Sequence, residues 1–409
     1  MFSLNGVVAP LFTSLHRMLT SSFISEKRRR IIALDILRGL FLVVLIADHI
    51  PWSPSLYSLV TGQGLLFASA AEGFFVVSGI LVGYIYGHKI MGSRKKTIQH
   101  IWKRALLLYV ISVIGTLTYT LIALWSSPNN IVGLPLWPSD LQSYLLNTFT
   151  LRYSYGWTDF LNRYAVFMFA APAVLWLLSK QKAWLVLPAS ITIWLFLRDV
   201  ALFMPFSGWQ IIFVLGIVIG YYLPNIEHAT KTIPHTIKRS GLFILTSLSA
   251  ITFVVSVVSA VIIPYLLTLP GITLFDPVVL GQLEALRNSV WDSWFSKSSV
   301  APGRLIVGGL WFSTLYILVR KYEQNIIDQT IGKKVEYLGK HSLYVYVSHG
   351  VVVMATYFLL PPSINPGNIL LSTIVITTAL FCVYMLAKHR NLFDSLISNS
   401  RGRINREKF

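Results

Sequence analysis

The sequence is short of charge, of acid and of cysteine. Only 12% of its 409 residues are Asp, Glu, Lys or Arg, about half the share in an ordinary soluble domain. A water-soluble fold of this length could not cover its surface with so few ionised groups. Fully 55% of the chain is apolar, much of it in runs long enough to cross a bilayer, so lipid replaces water around most of the surface. The single cysteine, Cys382, excludes a disulfide within one chain and a cysteine-ligated metal site. The nine histidines are scattered, with no i, i+4 pair on one helix, so no metal site is expected. A phosphate-binding glycine loop and a nucleophile elbow are both missing, which argues against an ATPase and a serine hydrolase. Basic residues outnumber acidic ones 34 to 16. They come in separate short stretches, the pattern of cytoplasmic loops, and no nucleic-acid partner is expected.

Ten apolar runs are present: Ile31–Ile50, Gly64–Gly87, Ala105–Trp125, Arg163–Ser179, Ala183–Leu202, Gly208–Leu223, Gly241–Leu267, Pro302–Val319, Ser342–Leu360 and Asn368–Ala387. Most have spanning length; the fourth and sixth are short. Of the 34 basic residues, about 27 fall in the two tails and the even-numbered loops. That bias puts the N-terminus, those loops and the C-terminus in the cytoplasm. The expected fold is an all-α, polytopic bundle of about ten transmembrane helices. A basic cytoplasmic segment (1–30) precedes the membrane domain (31–387), and a basic cytoplasmic tail (388–409) follows it. Residues 2–24 are mildly amphipathic, and either lie along the inner surface or are disordered. The loops 126–162 and 268–301 are long, and their aromatic residues suit either an interfacial belt or sugar stacking. Phe75–Tyr84 and Phe213–Tyr222 echo each other faintly, but glycine-rich membrane helices often look alike and no repeat is drawn.

Ionisable residues inside a membrane are costly, and each is a functional candidate. The first helix carries Asp35, Arg38, Asp48 and His49. Eleven residues separate Arg38 from His49, which places them about 20° apart on one face and about 16 Å apart along the axis. Asp35 lies a turn below Arg38, within pairing reach. In the second helix, Glu72 is expected about 12 Å deep, where a carboxyl must be paired, hydrogen-bonded or protonated. Lys103 and Arg104 open the third helix, as ordinary cytoplasmic cations or as an anion clamp. Trp209 and Gln210 begin the sixth helix on the outer side, and Arg152, Tyr153, Arg163 and Tyr164 approach from that side too. His349, in the inner half of the ninth helix, reads as a packed, hydrogen-bonded histidine.

These residues carry a resemblance. Leu34-Asp35-Ile36-Leu37-Arg38-Gly39 followed by His49 resembles the start of the membrane acyltransferase 3 superfamily, and Glu72-Gly73-Phe74-Phe75-Val76-Val77-Ser78-Gly79 resembles its second-helix motif. Asp48-His49, Gly83-Tyr84-Ile85-Tyr86-Gly87 and the stretch from Phe206 through Trp209-Gln210 to Gly216 are similar to the OpgC-type branch, succinyltransferases of periplasmic glucans. Lys340–Tyr346 looks like the family's late helix start. Arg163-Tyr164 departs from the pattern before the fourth helix, and 268–301 matches nothing in it.

The resemblance implies a multi-pass enzyme of the plasma (inner) membrane. It would move a succinyl or acetyl group from cytoplasmic acyl-CoA, a co-substrate rather than a bound cofactor, to a hydroxyl of an extracytoplasmic glycan. In that layout His49 acts as general base, with Glu72 first, or Asp48, orienting its ring. Arg38 binds the thioester arm or stabilises negative charge, Arg104 with Lys103 holds the donor phosphates, and Trp209, Gln210, Tyr153 and Arg163 face the sugar. A secondary transporter or flippase of a glycolipid or acyl intermediate is the alternative, since transporters also bury charge at mid-membrane. A non-catalytic membrane subunit is a third reading. Nothing in the sequence specifies an oligomeric state.

Overall fold

A computed structural model describes residues 29–125, 140–200, 204–264 and 276–390. The N-terminal segment through residue 28, the amphipathic stretch within it and the tail from 391 lie outside the described residues.

Among the described residues every regular element is helical. In chain order they are α1 (Ile32–His49), α2 (Leu56–Thr61), α3 (Ala70–Gly92), α4 (Arg94–Trp125), α5 (Leu141–Phe149), α6 (Asp159–Ser179), α7 (Ala183–Leu197), α8 (Met204–Lys231), α9 (His235–Val257), α10 (Pro277–Val290), α11 (Pro302–Asp328), α12 (Thr330–Lys340), α13 (Ser342–Leu359) and α14 (Ile369–Lys388). Eight of the described helices are long and apolar enough to cross a membrane. The other two expected spans also fold as helices. α1 carries Asp35, Arg38 and Asp48, and α7, with 15 residues, is about 22 Å long.

The chain forms a helical membrane bundle, and α9 shows the physical reason. Its buried residues are Ser249 and Ser256, while Phe243, Ile244, Leu248 and Ile251 are exposed. In water that arrangement would be inverted; in hydrocarbon the polar groups are the ones that must find partners. Ser249 Oγ lies 2.7 Å from Thr314 Oγ1, and the Trp311 indole donates to Thr252 Oγ1 at 2.9 Å.

Several boundaries differ from expectation. The fourth and sixth spans are not short: α6 begins at Asp159 and α8 continues through Pro224 to Lys231. α4 begins at Arg94, so Lys103 and Arg104 stand some ten residues inside it rather than at its opening. At 32 residues it is about 48 Å long, more than a bilayer needs, and its basic first turns extend past the hydrocarbon. Two stretches expected as loops contain helices, α10 within 268–301 and α12 within 320–341.

The chain divides into two compact units, with α11 contributing to both. The first comprises α3 to α10 and the start of α11, the second α1, α2, the end of α11 and α12 to α14. In the first unit α3 and α8 cross at backbone contact. A Cβ on Gly79 would lie 2.3 Å from the Phe213 carbonyl oxygen, and one on Gly220 2.0 Å from that of Ile80. The echo between 75–84 and 213–222 therefore has a physical meaning: the two glycine faces pack on each other. In the second unit, a Cβ on Gly39 would lie 1.9 Å from the Val335 oxygen, and one on Gly339 1.8 Å from the Asp35 oxygen. α12 thus runs directly against the inner half of α1.

Candidate functional site

In the second unit α1 is one unbroken helix, so Arg38 and His49 share a face about 16 Å apart, as expected. Asp35 and Arg38 are buried, and Asp48 and His49 are half-buried. Because α12 occupies the space beside Asp35–Gly39, α13 begins well along α1. His349 therefore stands level with His49, at the outer end of α1 and not at an inner depth. His49 Nδ1 lies 3.0 Å from His349 Nε2. The ring centres are 5.2 Å apart and the planes 21° from parallel. The excess of 5.2 over 3.0 Å is close to two ring radii. The contact is thus edge to edge, with both nitrogens near the line between centres. His349 is fully buried, and its Nδ1 donates to the Tyr346 carbonyl oxygen one turn back. Outside this pair, the Trp52 indole donates to the Leu360 carbonyl oxygen at 2.8 Å, tying the end of α1 to that of α13.

In the first unit Glu72 stands in the opening turn of α3, not about 12 Å down a span. The helix begins at Ala70 because Ser69-Ala70-Ala71-Glu72 is a capping box. Glu72 Oε2 accepts from the Ser69 backbone N–H (2.9 Å) and from its hydroxyl. Glu72 Oε1 accepts from Arg304 Nε at 2.6 Å, in an ion pair whose side chains are 5% and 1% exposed. Arg304 also donates to the carbonyl oxygens of Phe295 (3.0 Å) and Leu66 (3.3 Å). Both oxygens of Glu72 are thus engaged inside its own unit, and His49 has His349 beside it in the other. Arg304 was not a site candidate in the sequence. The available signal was a cation at the outer start of a membrane helix, in a chain with a carboxylate, Glu72, on the outer part of another.

The expected sugar-facing residues are distributed unevenly. Trp209 is 1% exposed, with the Phe75 ring on one side and the Arg163 guanidinium 5.2 Å from its centre. Gln210 is bonded to α7: Ser190 Oγ donates to its Oε1 (2.7 Å), and its Nε2 donates to the Ser190 carbonyl oxygen (2.8 Å). Tyr153 is half-buried edge-on to Tyr144, outside the spans, and burial pushes its phenol up. Arg163 pairs with Asp159 at 2.8 Å. Those two, with Arg152, Ser154 and Asn162, line a polar cavity of about 210 Å³. On α4, Lys103 is exposed, and Arg104 is half-buried near Tyr86 and Tyr164.

No curated protein matches the chain in sequence. One family does, described as OpgC protein, over residues 30–395, a stretch that takes in every described helix. The charged first helix, the glycine-packed third and eighth helices and the late helix of His349 all lie inside that match. On that coverage the chain belongs to the OpgC family, and so to an acyltransferase-type class of membrane enzymes.

Proposed function

We propose that the protein is an O-acyltransferase of the cell membrane, moving a succinyl or acetyl group from cytoplasmic acyl-CoA to a hydroxyl of an extracytoplasmic glucan. The observation that carries this reading is α1, which joins a buried Arg38 to a half-exposed His49 over about 16 Å. His49 takes the proton of the sugar hydroxyl, a task that suits imidazole because its ordinary pKa lies near ambient pH. The sugar oxygen bonds to the thioester carbonyl carbon, the carbon–sulfur bond breaks, and the thiolate leaves as free CoA with the proton. Arg38 offers fixed positive charge for the donor arm or for charge developing on the thioester oxygen. Lys103 and Arg104 are the proposed cations for donor phosphates, and the cavity at Arg152, Asp159 and Arg163 is the proposed place for a sugar ring. Glu72, committed to Arg304, serves the fold of its own unit in this reading, and Asp48 is the carboxylate that remains next to the base.

The test compares envelope glucans from cells making wild type or His49→Ala at matched membrane levels, by mass spectrometry before and after mild alkali. A base-labile acyl mass is expected only with wild type, and its size names the group. Loss of about 10³-fold in transfer fits removal of a general base. Identical glucans from the two cells would defeat the proposal, and substrate flux without a covalent product would favour the transporter.

A further inference from the structure

His349 is fully buried, and its Nδ1 faces the carbonyl oxygen of Tyr346. A carbonyl oxygen only accepts, so the proton lies on Nδ1. A ring with no exposed surface is kept neutral by the cost of burying an uncompensated cation. The lone pair of His349 is therefore on Nε2, the atom that lies 3.0 Å from His49 Nδ1. Two nitrogens at that distance share one proton, and here only His49 has it to give. The near-coplanar, edge-to-edge placement of the rings directs that N–H along the lone pair. Neutral His49 then has its own lone pair on Nε2, the ring atom remote from His349.

We propose that His349 is a positioning residue that holds His49 in the Nδ1–H tautomer, the less favoured one for a free histidine, and so makes Nε2 the nitrogen that accepts a substrate proton. The inference rests on the reading of His49 as the base. It adds a chain of command: the Tyr346 carbonyl orients His349, and His349 orients His49. When His49 gains the proton, its Nδ1–H already points at a neutral acceptor, which strengthens that hydrogen bond as charge develops. A second histidine thereby does what a carboxylate does in other triads, without adding negative charge to the site.

The experiment uses full-length protein labelled with 15N-histidine in lipid bilayers, with the His49 signals identified by their loss in His49→Asn. Solid-state 15N spectra of the wild type should show His49 Nε2 unprotonated and Nδ1 protonated. In His349→Phe, which keeps a ring but removes the acceptor, those two assignments should exchange. The kcat for transfer should fall about 10²-fold, with KM for the acceptor nearly unchanged. His349→Gln places an amide oxygen near the position of Nε2 and should recover at least about tenfold of that loss. Thermal unfolding of both variants checks that they fold. A wild-type His49 protonated on Nε2 would overturn the proposal. So would folded Phe and Gln variants that lose kcat equally while the His49 tautomer stays as in wild type. A wild type that transfers no acyl group defeats the base reading alone, because the nitrogen spectra still decide the tautomer.

Discussion

Around Glu72 in the first unit the buried charges close on one another, although Arg304 Nη2 has no hydrogen-bond partner among the described residues. Arg304 faces the Glu72 carboxylate, Ser69 caps its other oxygen, and the carbonyl groups of Phe295 and Leu66 take further protons of the guanidinium. In the second unit two imidazole rings meet, His349 fully buried and His49 half-exposed. A closed network of full charges suits holding helices in place, because each charge has its opposite beside it. A pair of neutral rings is cheaper to bury than a pair of full charges, and here one of the two rings is half-exposed. In the proposed reading, the two arrangements give Glu72 a role in the fold of its unit and leave the proton transfer to His49.

The largest effect is expected where the closed network is broken. Arg304→Met leaves the Glu72 carboxylate buried without its cation and should cost about 3–5 kcal/mol of stability. The double variant Arg304→Met/Glu72→Gln should recover most of that loss, since no full charge is then stranded. Thermal unfolding of both in detergent reads the difference. An Arg304→Met protein as stable as wild type would mean that Glu72 reaches water, and the contrast between the units would fail.

A smaller effect separates the two glycine contacts. An added methyl at Gly39 would meet the Val335 oxygen at 1.9 Å, and one at Gly220 the Ile80 oxygen at 2.0 Å. Each alanine variant should lose about 1–3 kcal/mol by overpacking. Gly39→Ala pushes on α12, which leads through His341 directly into the helix of His349, so its kcat per folded molecule should fall as well. Gly220→Ala strains only the α3–α8 crossing and should keep its kcat. Initial rates normalised to folded protein distinguish them, and equal kcat losses would show that the dyad is not set by the α1–α12 contact.

Hydropathy and charge bias made the bundle legible, because lipid imposes the same demand on every span. The Arg38–His49 spacing was legible for a related reason: both residues lie on one helix, where sequence separation converts directly to rise and angle. What it did not reveal were relations between helices. His349 was recognisable as a packed histidine, but its partner depends on α12, whose polar sequence Gly332-Lys333-Lys334-Val335-Glu336 resembles a loop until Gly339 is seen against Asp35. The depth of Glu72 was misread for a local reason. The apolar run from Gly64 conceals a capping box, and a helix begins where its first N–H groups find acceptors rather than where hydropathy rises.

That capping box supplies the smallest and sharpest test of the contrast. Ser69→Ala removes the hydroxyl that donates to Glu72 Oε2 but leaves the backbone N–H at 2.9 Å in place. The ion pair to Arg304 uses the other oxygen and is untouched. Loss of one hydrogen bond to a charged acceptor at a helix start should cost about 1 kcal/mol, seen as a small drop in unfolding temperature with kcat and KM unchanged. The outcome is informative because the substitution weakens the environment of Glu72 without stranding its charge. If kcat fell while the unfolding temperature held, the orientation of Glu72 would matter to the reaction itself. The carboxylate would then belong to the chemistry, and the closed network of the first unit would have to be read as part of an active site.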